Sequence, residues 1–464
     1  MFVCLLMARA VASGEIAASG EVATTVWMVV GALVVAHVAT LGAGTCLAVL
    51  IGLSASGLAD TNAALANLGP VQVTPLDVVF VILVGHAFFL DAPWTATTRS
   101  RMTAPARAGL ALVVLMGASV IAEFLGNNST DVSLTSWLRI VQAAVLAFLA
   151  SRLLTTPRAI RTAFTGLVAG GLVLVAQMIF EVVTKGGNPL VDRFGGPVNE
   201  DSAGLVAAVL LVVGVAYPAL SSRVRVSSVV AGLLGLFLAK SIGALLSVAV
   251  VVGALAATGT MSSAGAVKAL RASVAVGVAA ILGFGVLHSA RSEALPNSSR
   301  FGSSTISHRI VVGAAGLELF AQHPLAGAGW QRSASPEGIG DEEINARLRA
   351  RFPQVAPYFY PDVALASVHN AYIQVLAELG MLGGVLVLVF LVLLVQAARR
   401  LLREHGTDDD SHAALVTVIA VVGLVLLWWN ENPLYGGQFE MISFALAFGV
   451  LIALSRGRPA PGAS

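Results

Sequence analysis

The chain has 464 residues, of which 57% are hydrophobic and only 11% charged, with a mean hydropathy of +0.87. A soluble domain is about one quarter charged, so this composition excludes a large water-soluble core and points to a polytopic membrane protein. The net charge is only +2, with basic residues scattered among loops, so there is no electrostatic footprint for a nucleic-acid partner.

The opening stretch, MFVCLLMARAVASGEIAASGE, has a short apolar run with no charged segment ahead of it and more apolar sequence behind. It reads as a loosely ordered leader rather than a cleaved signal peptide. Cys4 and Cys46 have no partner at metal-ligand spacing and are expected as buried free thiols. A spanning helix needs about 20 mostly apolar residues. Such runs fall near 24–56, 76–91, 107–125, 135–151, 162–183, 202–220, 224–239, 241–257, 267–288, 370–397, 413–429 and 438–455. The first is long enough for Gly42 and Gly44 to break it into a hairpin, giving 12 or 13 spans.

Basic residues recur in alternate short loops, from Arg99, Arg101 and Arg107 to Arg456 and Arg458, and the positive-inside rule puts these loops in the cytoplasm. The segment from 289 to 368 then faces outward. An 80-residue soluble stretch in a tightly looped chain is where function is expected. The predicted organisation is an N-terminal bundle (1–288), a long extracytoplasmic loop with amphipathic helices (289–368), C-terminal spanning helices (369–455) and a cytoplasmic tail (456–464).

Several polar residues gather on the outward side. Arg193 lies in VDRFGGPVNEDSAGL, beside flexible backbone and ahead of Asn199 and Ser202, which can cap the next helix. Lys240 lies between two spans, against the positive-inside trend. Ile306, Ile310, Ala314 and Leu317 recur at helical spacing, predicting an amphipathic helix that carries Arg309 and ends at HPLAGAGW. His369 and Asn370 begin a span at its outward end, with Glu378 deeper in it, and an ionisable group inside a span is a functional candidate. Each also has a plainer reading: surface or snorkelling cations for Arg193, Lys240 and Arg309, a turn residue for His323, a helix cap for His369. The acidic runs at 341–343 and 408–410 read as an exposed paired helix and a solvated turn. No metal site is expected, since no carboxylates converge on the outer mouth.

These residues together resemble the bacterial O-antigen ligase and polymerase superfamily of integral membrane glycosyltransferases. That family has His followed by Asn, Ser or Gln, nine residues, Gly, two residues and a small residue; His369, Asn370, Gly380 and Gly383 fit this spacing. SHRIVVGAAGLELFAQHPLAGAGW resembles the family's loop, with Arg309, His323, Pro324, Gly327 and Gly329 in its motif positions. RFGGPVNEDSAGL is similar to its Arg, Gly, Asn pattern, through Arg193 and Asn199, although Val198 stands where Pro is common. Lys240 in KSIGA takes the place of an arginine in a Ser-Arg-Gly-like motif, as a point charge without the bidentate fork.

The resemblance implies an all-α, GT-C-like bundle of about 12 transmembrane helices in the bacterial plasma membrane, with its site on the extracytoplasmic face. It implies transfer of a glycan from undecaprenyl diphosphate to a sugar hydroxyl on a glycan, lipid or protein acceptor, with inversion and without metal or cofactor. His369, Arg309 and Arg193 are then the expected catalytic residues; Asn370, Lys240, Arg300 and Asn199 are expected to bind substrate. Polymerases and ligases share these motifs. A lipid-linked oligosaccharide flippase or exporter, and a non-catalytic membrane scaffold, are the competing classes.

Overall fold

The computed structural model describes residues 40–58, 66–68, 71–90, 102–126, 131–185, 188–189, 192–257, 303–353, 355, 357–363, 367–404, 410–430, 432–434 and 438–456. The leader, Cys4, the run at 267–288 and Arg300 lie outside the described residues.

Helices follow the apolar runs in chain order. They are α1 (Ala43–Ser56), α2 (Pro75–Gly85, continued by a π-helical turn His86–Leu90), α3 (Ala104–Leu125), α4 (Asp131–Leu153), α5 (Pro157–Lys185), α6 (Glu200–Ala216) and α7 (Ser222–Ala239). Then come α8 (Ile242–Ala257), α9 (Ser303–Gln322), α10 (Glu342–Arg351), α11 (Ala371–Glu404), α12 (Asp410–Trp428) and α13 (Gln438–Arg456). One departure from the all-helical expectation is a short antiparallel hairpin, β1 (Ala66–Leu68) with β2 (Val71–Val73). Helix α1 starts immediately after Gly42, where the long first run was expected to break.

Among the described residues, seven helices are long and apolar enough to cross a membrane: α3, α4, α5, α7, α11, α12 and α13. Shorter apolar helices occur at Ala43–Ser56, Pro75–Phe89 and Ile242–Leu255. The chain is thus a multi-pass helical membrane protein, with seven such helices set against the 12 or 13 runs expected.

Helix α6 is the core of the bundle: every residue from Ser202 to Ala216 is buried, as a helix apolar on all sides must be. Close backbone approach replaces bulky packing where glycines allow it. A Cβ at Gly166 or Gly170 of α5 would collide with the carbonyls of Ala48 and Gly52 on α1, so this small-residue stripe lets the two helices touch. Elsewhere α6 packs on α7, α4 on α13 and α3 on α11.

Outside this bundle, α9 and α10 build a second apolar cluster from Val311, Val312, Ala315, Leu319, Ile344 and Leu348, closed by Tyr360 and Val368. The buried stripe of α9 is offset by one residue from the predicted one. Ile310 and Leu317 are exposed, while Val311, Ala315 and Leu319 pack inward. Helix α10 is amphipathic, with Arg347 paired to Glu343 at 2.7 Å and to Glu318 of α9 at 3.3 Å.

The loop after α9 is fastened to α11 by backbone hydrogen bonds. Gly380 adopts φ 63°, ψ −158° and breaks the α-helical path of α11. The groups freed there meet the loop: Ala328 N donates to Ala377 O at 2.9 Å and Gly329 N to Glu378 O at 3.0 Å. Met381 N donates to Pro324 O at 2.8 Å and Leu382 N to Leu325 O at 3.3 Å. The His-Pro-Leu-Ala-Gly-Ala-Gly turn and the glycine eleven positions after His369 are therefore two halves of one joint.

Trp330 anchors this joint to α3 and α4. It is fully buried; its N–H donates to Ser119 Oγ at 2.9 Å and its indole Nε1 to Ser136 Oγ at 2.6 Å, while its carbonyl accepts from Ser133 Oγ at 2.8 Å. Trp330→Ala is expected to destabilise the fold by about 3–5 kcal/mol, the usual cost of emptying a large aromatic site. Thermal unfolding of the purified protein checks this; a melting point within a degree of wild type would contradict it.

Candidate active site

Arg193 is positioned by the C-terminal end of α7. The last turn of a helix leaves carbonyls without intrahelical donors and carries partial negative charge. Two of these carbonyls are taken by the loop ahead of α6: Phe194 N donates to Leu238 O and Arg193 Nε to Ala239 O, both at 3.0 Å. Gly196, at φ 65°, turns this loop, and its N–H donates to Glu181 Oε2 at 2.7 Å. The guanidinium then reaches Asp201 in the first turn of α6, with Nη2 2.6 Å from Oδ1. Arg309, from α9, approaches the other oxygen of the same carboxylate, with Nη2 3.9 Å from Oδ2.

His369 lies half-buried just ahead of α11, its ring edge-on to that of His308 at a centroid distance of 5.6 Å. His308 Nδ1 is 3.2 Å from the carbonyl of Phe359, which fixes that ring. Burial, followed by the neighbouring His308 and Arg309, pushes the His369 imidazole down to about 4, with the Asp201 carboxylate opposing. The lowered value leaves the His369 imidazole uncharged at neutral pH beside the Arg309 guanidinium. The structure brings Arg193, Arg309 and His369 into one cluster around Asp201, though they arise from a loop, the second turn of α9 and the entry to α11.

The expected substrate-binding residues that are described, Asn370, Asn199 and Lys240, have structural partners. Asn370 is the N-cap of α11: Oδ1 accepts from Tyr372 N and Ile373 N, both at 3.0 Å, and Nδ2 donates to Asn430 O at 2.9 Å. Ala371 N donates to Trp429 O and Asn432 O, so the start of α11 is held by the end of α12. Asn199 caps α6 through Ser202 N at 2.7 Å, and Ser202 Oγ donates to buried Glu440 Oε1 at 2.8 Å. Lys240 is in the left-handed region at φ 46°; its Nζ donates to Pro189 O at 2.8 Å and also to Asp192 O. Burial lowers the Lys240 ammonium from its ordinary value. Its geometry is that of a clamp on the loop leading to Arg193.

His323 is exposed, and its carbonyl accepts Gly327 N at 3.0 Å, the turn role. Glu378 is fully buried and accepts from Ser333 Oγ and, at 3.2 Å, from Gln374 Nε2. It thus ties the loop to α11 at the joint, and does not reach the cluster through any of these bonds. Asp201 and His308 escaped the sequence reading. Asp201 sits within a string of helix-starting residues, NEDS, and the signal for His308 was only its place beside Arg309.

The chain is first of all a multi-pass helical membrane protein in which two arginines and a histidine gather around one carboxylate. Residues 227–388 match the family model described as O-antigen ligase, a stretch that includes Lys240, Arg309, His369 and Gly380. This match supports membership of the O-antigen ligase and polymerase superfamily and, in general terms, a glycosyltransferase of the O-antigen ligase type. Arg193 and Asn199 lie ahead of the matched stretch. No curated protein matches the chain.

Proposed function

We propose that this protein is a metal-independent, inverting glycosyltransferase of the bacterial plasma membrane. It moves a glycan from undecaprenyl diphosphate to a sugar hydroxyl on a glycan, lipid or protein acceptor at the extracytoplasmic face. The observation that carries this reading is the cluster in which Arg193 and Arg309 converge on Asp201 while His369, packed edge-on against His308, lies next to Arg309. His369 accepts the proton of the acceptor hydroxyl as that oxygen bonds to the anomeric carbon from the face opposite the diphosphate. The anomeric C–O bond breaks, and its electron pair leaves on the diphosphate oxygen. Arg193 and Arg309 stabilise the charge gathering there by charge-assisted hydrogen bonds in a partly dry cleft. Asn370, Asn199 and Lys240 act as supports that hold the elements carrying these groups.

The test is reconstitution of the purified protein in liposomes with a fluorescent undecaprenyl-diphosphate oligosaccharide and candidate acceptors. A new glycoside is expected, and Arg193→Ala and Arg309→Ala are each expected to lower kcat by about 100-fold to 1,000-fold, as for removal of a preorganised charge-stabilising donor. Equal product from both variants would sink the site assignment. Lipid movement without any glycoside would favour an exporter.

A further inference from the structure

Asp201 belongs to none of the motifs above, and no step of the proposed transfer uses it. Yet it is the residue through which the two arginines meet. One carboxylate oxygen lies 2.6 Å from Arg193 and the other 3.9 Å from Arg309, so a single anion spans guanidiniums from different elements. The three side chains retain 30%, 29% and 31% of their exposure for Arg193, Arg309 and Asp201, so they are open enough for another anion to reach them. Among the described residues, Asp201 also bears on His369, as a negative neighbour that opposes His308 and Arg309.

The charges of the reaction give this arrangement a purpose. A glycosyl polyprenyl diphosphate has both phosphates esterified and carries one negative charge on each. Once the glycosidic bond breaks, the outer phosphate is free and gains up to one further charge. Two unopposed guanidiniums would thus hold the product more tightly than the substrate. A carboxylate seated between them reduces the local charge from two positive to one.

We propose that Asp201 is a built-in competitor for the diphosphate: between turnovers it accepts from Nη2 of Arg193 and stands beside the guanidinium of Arg309, yields both to the donor, and returns to them to expel the product. This inference rests on the reading of the two arginines as the diphosphate site. The carboxylate sits in the first turn of α6, a helix buried along its length, so its backbone is fixed and only its side chain need swing. Arg193 is likewise tethered through Nε to Ala239 O, which leaves its Nη2 to exchange one anion for another.

The experiment is calorimetric titration of inorganic pyrophosphate into the full-length protein in nanodiscs, with wild type, Asp201→Asn, Asp201→Ser, Asp201→Glu and Arg193→Ala compared after matching their melting points. Removing a partly exposed competing charge is expected to tighten pyrophosphate binding about fivefold in both neutral variants. The Glu variant is expected to stay near wild type, and the gain to shrink with added salt. In the transfer assay the neutral variants are expected to be inhibited by pyrophosphate at correspondingly lower concentration. Weaker or unchanged binding in Asp201→Asn and Asp201→Ser, with Arg193→Ala still defective, would overturn the competitor role and make Asp201 a scaffold for the arginines. If Arg193→Ala binds pyrophosphate as wild type does, the diphosphate site itself lies elsewhere and this inference falls with it.

Discussion

His369→Ala is expected to lower kcat by about 100-fold to 10,000-fold, the range that positioned general bases contribute, with donor binding largely retained because the arginines remain. The pH profile separates a base from a mere cap. His369 serves as a base only while neutral, and its lowered pKa keeps it neutral to lower pH than an ordinary imidazole. In wild type, kcat/KM, which reports the free enzyme, is therefore expected to hold through the usual histidine range and fall as pH drops through about 4. A bound diphosphate adds negative charge beside Arg309 and raises the imidazole again, so the acid limb of kcat is expected above that of kcat/KM. Arg309→Ala removes a positive neighbour and is expected to move the limb of kcat/KM upward. Activity within tenfold of wild type in His369→Ala, or a limb indifferent to Arg309, would remove His369 from the chemistry.

Gly380→Ala is expected to cost on the order of 5 kcal/mol and to abolish transfer, for two reasons that add. The backbone at φ 63°, ψ −158° is a region populated essentially by glycine alone. A Cβ would also strike the Leu325 carbonyl and the Gly327 nitrogen. Relief requires the loop to withdraw, which gives up the backbone hydrogen bonds of residues 328, 329, 381 and 382. Gly384→Ala, one turn on, is the control, because its Cβ would meet only the flexible end of Leu376. Melting curves of the two variants give the comparison; equal stability would mean that the joint between loop and α11 does not hold the fold.

Helix positions were legible in the sequence wherever an apolar run had clear ends. The runs at 107–125 and 438–455 became Ala104–Leu125 and Gln438–Arg456. Length was less legible where tertiary structure intervened. The run at 202–220 ends as a helix at Ala216, ahead of Tyr217 and Pro218, and the run at 76–91 changes to a π turn after Gly85. The stripe on α9 was misplaced by one residue because Ile310 and Leu317 are as apolar as the residues that pack. At the site, the interval from His369 to Gly380 could be read as a pattern, but its cause is a loop more than fifty residues earlier that docks where the glycine breaks the helix. Asp201 could not be read at all, since its partners come from a loop and from a distant helix. Asn370 and Lys240 are residue types suited to binding, and their hydrogen bonds to Asn430 and to the carbonyls of Pro189 and Asp192 depend on distant segments that the sequence does not place.

The anchoring of Asn370 and Ala371 by Trp429, Asn430 and Asn432 has a consequence for biogenesis. As the chain emerges from the ribosome, both arginines and the imidazole are made before the segment that holds the imidazole in position. The segment that carries His369 can be held in this way only once residues 429–432 have been made. Nascent chains that end before residue 432 therefore lack the contacts that fix the start of α11.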